Sequence, residues 1–195
     1  MRPRLETVLG DLTLEPTDVI VNAANPDLVR GGGVCGAIFA RAGDGLAQAC
    51  AAFGGCPTGD AVATPGFGLA ARWIVHAVGP VWHGGRHDEG DLLRSAYERA
   101  LTVADDLDPR SVAFPAISTG IYGYPLEEAT ALAVATCRSV ETRHVEVVRF
   151  VCFDPAALAG YEAALRRRPV SWLGGADAAA RGSRRAHSRP GCRAS

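Results

Sequence analysis

Asp18-Val19-Ile20-Val21-Asn22-Ala23-Ala24-Asn25-Pro26-Asp27-Leu28-Val29-Arg30-Gly31-Gly32-Gly33-Val34-Cys35-Gly36-Ala37-Ile38-Phe39-Ala40-Arg41-Ala42 contains a strand, a turn and a helix in one run. The β-branched stretch 18–22 predicts a buried strand, and the alanine-rich stretch 34–42 predicts a helix. Between them, Gly31-Gly32-Gly33 opens the helix. Glycine lets a backbone approach an anion closely, and the first turn of a helix offers free N–H groups and the positive end of the dipole. The three glycines therefore read either as an anion site or as a flexible turn. Asn22 and Asn25, three apart at the strand end, read as residues that fix the loop or contact a sugar.

The same order recurs along the chain. Helix is expected over 44–53, strands over 61–64 and 73–78, and a helix over 91–107 with Asp91 as its cap. A strand is expected over 111–117, followed by the glycine-rich loop Ser118-Thr119-Gly120-Ile121-Tyr122-Gly123-Tyr124. Pro125 then sits at the first position of a helix that runs to about 139. A long apolar strand over 144–153 is followed by Asp154-Pro155, a cap and first-turn pair, and a last helix to about 168. Strands alternating with helices, several of them apolar on both faces, describe an α/β domain with helices on both sides of a sheet. In such sheets ligands bind beyond the carboxyl ends of the strands, where both glycine loops fall.

Composition narrows the chemistry. The chain has 195 residues, 48% apolar, which suits one domain with a sizeable core. All 20 basic residues are arginine, so no lysine chemistry is available and neither glycine loop is a lysine-bearing phosphate loop. Residues 1–165 hold 12 arginines against 20 acids, a poor match for nucleic acid. Residues 166–195 hold eight arginines against one acid. Residues 1–169 are read as the domain, and 170–195 as a basic, disordered tail with Trp172 a candidate anchor at its start. Six cysteines lack any zinc spacing and are expected to be free thiols. No metal, cofactor or membrane partner is implied. A monomeric cytoplasmic protein is expected. His76 reads as a structural histidine, and His83 and His87 receive no role.

Several ordered segments resemble the macrodomain family: Gly10-Asp11-Leu12-Thr13, residues 18–26, Gly31-Gly32-Gly33-Val34, Thr58-Gly59-Asp60-Ala61, His76-Ala77-Val78-Gly79-Pro80, and Phe114-Pro115-Ala116-Ile117 through Pro125. They span about 5–165 and are most similar to the MacroD-type ADP-ribosyl hydrolases and O-acetyl-ADP-ribose deacetylases. The resemblance implies a three-layer α/β/α fold with a mixed, mostly parallel sheet, and ADP-ribose as ligand. Asp11 is implied to accept from the adenine amino group, Leu12 to line that end, and Phe153 to stack on the base. On its residue type alone, Phe153 fits a core aromatic as well. Asn25 is implied to bind the distal ribose. Gly31, Gly32, Gly33 and Val34, with Ser118, Thr119, Gly120, Ile121 and Tyr122, are implied to hold the diphosphate. Tyr122 also closes over the distal ribose.

MacroD-type members read Gly-Gly-Gly-Val-Asp-Gly where this chain has Gly31-Gly32-Gly33-Val34-Cys35-Gly36. The family's aspartate is held to orient the attacking water. A neutral thiol is a weak base and a weak hydrogen-bonding group. Cys35 therefore reads as pocket lining, as a water-orienting group, or as a nucleophile. Asn25, Gly33 and Cys35 are the candidate catalytic positions. Two functions follow: hydrolysis of ADP-ribose esters, on acidic side chains or as O-acetyl-ADP-ribose, or recognition of mono-ADP-ribosylated proteins without cleavage, which the cysteine favours.

Overall fold

The β-branched runs pack as adjacent strands because each is apolar on both faces and finds a helix on either side. The computed structural model describes residues 1–167. In chain order the elements are β1 (Arg4–Leu9), a 3-10 turn (Leu12–Leu14), β2 (Val19–Ala24), α1 (Gly33–Ala42), α2 (Gly45–Ala51), β3 (Ala61–Pro65), β4 (Trp73–Val78), α3 (Glu89–Asp105), β5 (Ser111–Phe114), α4 (Leu126–Ser139), β6 (Val147–Cys152) and α5 (Pro155–Arg166). The sheet order is β1-β6-β5-β2-β4-β3. Every neighbouring pair is parallel except β3 with β4.

Side-chain alternation sorts the strands into two cores. Ile20, Ile74, Val78 and Ala113 face α1 and α2, packing on Ile38, Phe39 and Leu46. Val19, Val21, Val75, Val112, Phe114, Val148 and Phe150 face α3, α4 and α5, packing on Leu93, Tyr97, Val134 and Tyr161. This is a three-layer α/β/α fold with a mixed, mostly parallel sheet. The parallel strands β1, β2, β5 and β6 release the chain at one edge, so the loops after them gather there.

Four element boundaries differ from expectation. The last strand begins at Val147, not 144: the Asp105 carboxylate accepts from the N–H groups of Arg143 (2.8 Å), His144 (2.9 Å) and Val145 (2.9 Å), which removes them from the ladder. β5 stops at Phe114 because Pro115 has no N–H to extend it. α3 begins at Glu89, with Asp88 in the left-handed region (φ 57°) before it, so Asp91 lies in the first turn and is not the cap. Pro125 stands just outside α4, with an extended ψ of 125°. Asp154 does cap α5, accepting from Ala157 N–H at 2.8 Å. The edge strand β1, half polar, was not among the expected elements; its pairing to β6 defines it. The basic tail 170–195, with Trp172 and Cys192, lies outside the described residues, and the five described cysteines are free and buried. Among the described residues no helix is long and apolar enough to cross a membrane.

Candidate functional site

A cavity of about 750 Å³ opens at the carboxyl edge of the sheet. It is built from the ends of β1, β2, β4, β5 and β6, which deliver residues 10–12, 23–25, 79, 115–122 and 151–154 to one place, together with residues 31–35 at the start of α1. Every site residue expected from the sequence lines it: Asp11, Leu12, Asn25, Gly31, Gly32, Gly33, Val34, Cys35, Ser118, Thr119, Gly120, Ile121, Tyr122 and Phe153.

The first glycine loop presents a bare helix start. Gly32 is the N-cap of α1 and provides no side-chain cap. The first N–H groups of a helix have no partner inside it, so the amides at Gly33 and Val34 have none within α1, and both residues line the cavity. Gly33 has φ +55°, a conformation that disfavours any side chain. The second loop is wound tightly: Tyr124 N–H donates to Ser118 O (2.9 Å), Gly123 N–H to Gly120 O (2.9 Å), and the Thr119 hydroxyl to Ala116 O (2.9 Å). Ser118 is a non-glycine residue at φ +66°, and its buried hydroxyl has no partner. Backbone strain combined with an unsatisfied buried donor is typical of a functional site. Gly79 makes this possible, since a Cβ there would come within 2.3 Å of Ser118 Oγ. Gly79 also lines the cavity; it lies in the His76–Pro80 segment that carries the resemblance, which implied no site role for it. The two loops touch: Ile121, 80% exposed, lies over Gly32, where an added Cβ would meet Ile121 Cδ1 at 2.9 Å.

At the opposite end, Phe153 follows β6 and is 91% exposed, which rules out the core reading. Leu12 is buried beside the cavity. Asp11 Oδ1 accepts from Thr13 N–H (2.9 Å) and Thr13 Oγ1 (2.8 Å), capping the 3-10 turn. Asp154 is the other carboxylate on the cavity wall, and it is engaged as the cap of α5.

Asn25 is clasped to the backbone of Val29: its Nδ2 donates to Val29 O (2.8 Å) and its Oδ1 accepts from Val29 N–H (3.1 Å). An amide has a second N–H and a second lone pair, so each end retains one position. The Cys35 side chain, 4% exposed, accepts from Gly31 N–H (3.4 Å) and from Asn22 Nδ2 (3.7 Å), and its S–H faces Val29 O (3.8 Å). Asn22 Nδ2 also donates to His76 Nδ1 (3.1 Å), and His76 Nε2 meets Thr64 Oγ1 at 2.9 Å. This pattern assigns the Nε2–H tautomer to His76. Burial pushes His76 down to about 4, so the ring is neutral. Asn22 Oδ1 has no partner. Among the described residues no basic side chain hydrogen-bonds Cys35, which leaves a nucleophilic thiol without its base. Among them, too, no three His, Cys, Asp or Glu side chains group as metal ligands.

Comparison with known proteins places this geometry. The Macro domain family matches residues 21–133. A relative from Klebsiella pneumoniae, O-acetyl-ADP-ribose deacetylase, is 49% identical over 84% of this chain and 97% of its own length. A Macro domain-containing protein from Chlorobaculum tepidum is 48% identical over 83% of this chain and 95% of its own. The Oceanobacillus iheyensis macrodomain with ADP superposes with a TM-score of 0.78 at 41% identity, covering 83% of this chain and 89% of that one. The Trypanosoma brucei macrodomain in complex with ADP-ribose gives 0.77 at 38% identity, covering 83% and 69%. The chain belongs to the macrodomain family.

Proposed function

We propose that the cavity binds ADP-ribose and that the protein hydrolyses its esters, both O-acetyl-ADP-ribose and the link to glutamate or aspartate on mono-ADP-ribosylated proteins. The observation that carries this reading is the convergence of two amide-rich glycine loops on one cavity, with Phe153 and Leu12 at its far end. The Klebsiella relative's deacetylase name and the ADP-ribose held by the Trypanosoma macrodomain support it. In this arrangement adenine stacks on Phe153, a contact that contributes about 1–3 kcal/mol. Asp11 takes the adenine amino group on its uncapped Oδ2. The amides at Gly32, Gly33 and Val34 and the 118–122 loop hold the diphosphate, and the distal ribose lies between Asn25 and Tyr122.

Water attacks the ester carbonyl, a new C–O bond forms, and the bond to the ribose oxygen breaks, with the proton passing to that oxygen. Both cavity carboxylates are engaged as caps, and Cys35 sits where the family's aspartate stands. Orienting the water therefore falls to a phosphate oxygen of the substrate and to Asn25. The test is release of free ADP-ribose from an ester-linked mono-ADP-ribosylated protein and from O-acetyl-ADP-ribose, with ADP-ribose binding followed by calorimetry. Release together with binding supports the hydrolase. A second reading, a module that binds without cutting, is favoured by Cys35, and binding without release establishes it. Absence of binding overturns both.

A further inference from the structure

Residues 119–123 form the outer turn of the second glycine loop, and little packs on it. A Cβ added at Gly120 or Gly123 would meet nothing within 4 Å, and Ile121 is exposed. Tyr122, half-buried, is carried by this turn and lines the cavity. The turn's own bonds, Gly123 N–H to Gly120 O and Tyr124 N–H to Ser118 O, wind it but do not place its tip against the rest of the fold. Among the described residues one hydrogen bond reaches residues 119–123 from another segment: Trp82 N–H donates to Tyr122 O at 2.8 Å. The Trp82 ring also packs on the buried Tyr124, with centroids 4.5 Å apart.

Trp82 begins an irregular loop that runs to the start of α3, and the loop folds around one carboxylate. Glu89, buried, accepts from His87 N–H (2.6 Å), His83 N–H (2.9 Å) and Gly85 N–H (3.2 Å). Gly85, at φ +75°, lies against Trp82, where an added Cβ would come within 3.1 Å of the ring. The same carboxylate therefore holds the residue that follows Trp82 and the residue that packs on its face. Burial pulls the Glu89 carboxyl upward, but the N–H groups outweigh it and bring it down to about 2. A carboxylate accepts at both oxygens, whereas a glutamine would turn an NH2 group toward one of these amides. Neither Glu89 nor Trp82 lines the cavity, so their effect on a ligand passes through Tyr122.

We infer that Glu89 is a positioning residue for the distal end of the site: by fixing the loop after Trp82 it lets Trp82 hold Tyr122 in place against the distal ribose. The inference rests on the binding orientation given under Proposed function. A turn held in place before the ligand arrives loses little freedom on binding, and a turn released from its tie must be ordered by the ligand, which weakens affinity.

The test titrates wild type and variants by calorimetry with ADP-ribose and with ADP, which has the adenine, one ribose and both phosphates but no distal ribose. Glu89→Gln is expected to bind ADP-ribose about tenfold more weakly while its affinity for ADP changes by less than about twofold. Trp82→Ala, which removes the ring from Tyr124, is expected to show the same split, and Trp82→Phe, which restores an aromatic face, to keep the wild-type affinity for ADP-ribose. A general loss of stability weakens both ligands alike and does not produce this split. If Glu89→Gln does not fold, the two Trp82 variants carry the test. Unchanged ADP-ribose affinity in folded Glu89→Gln, an equal loss for ADP and ADP-ribose, or Trp82→Phe as weak as Trp82→Ala overturns the inference. Absence of ADP-ribose binding by wild type overturns the underlying reading instead.

Discussion

Cys35 occupies a place shaped for an acceptor. Gly31 N–H and Asn22 Nδ2 both point at its sulfur, at 3.4 and 3.7 Å. A carboxylate accepts both donors without leaving either unpaired. Cys35→Asp is therefore expected to keep the fold and to raise ester hydrolysis by about 10²-fold, the lower part of the range for acid–base assistance. The rate of ADP-ribose release checks it, and an unchanged or lower rate counts against water orientation as the missing step. Asn25→Ala removes the Val29 clasp together with the proposed ribose contact. Its kcat/KM is expected to fall at least 10²-fold, far more than that of Cys35→Ala, in the same assay. At this scale the sequence showed residue types and their order: a cysteine after Gly-Gly-Gly-Val and a pair of asparagines three apart. It did not show that Asn25 is tied to Val29, that Ser118 is strained with an idle hydroxyl, or that Gly79 makes room for it, because those facts depend on neighbours tens of residues away.

Helix starts and stops show the same division between local and distant causes. Asp154-Pro155 marked the start of α5 correctly because capping is a local interaction, and the bond from Ala157 N–H is present at 2.8 Å. Asp154→Ala is expected to cost about 1 kcal/mol, read as a lowered midpoint in urea unfolding; no loss of stability would mean that Pro155 alone sets the helix start. The start of α3 was misplaced because Glu89 turns away from its helix to bind three amides of the preceding loop. The start of β6 was misplaced because Asp105, at the end of α3, reaches the amides of residues 143–145. In both cases a carboxylate supplied a partner that local pattern assigns to the backbone ladder or to a cap. Strand β1 escaped notice because a short, half-polar edge strand acquires its identity only from β6.

Across the whole molecule, the buried polar chain behind the cavity couples stability to pH. His76 is neutral in the fold, pushed by burial from 6.5 to about 4. The unfolded chain takes up a proton as pH falls below about 6.5, while the folded chain resists until about 4. Stability is therefore full above 6.5 and declines between 6.5 and 4, by at most about 3 kcal/mol. Urea unfolding at pH 7 and pH 5 is expected to show this loss in wild type and a smaller loss in His76→Gln; equal slopes in the two proteins would remove His76 as the cause. Its own sequence determined that this chain forms an α/β domain, that two glycine loops each follow a strand and open a helix, and that its body is acidic, because periodicity, turn chemistry and charge act over a few residues. Tertiary structure alone decided that the loops at 31–33 and 118–122 meet over one cavity, that His76 and Asn22 stand behind Cys35, and that Trp82 N–H reaches the Tyr122 carbonyl. Those pairings are set by strand order and register, which bring together residues that no local pattern connects.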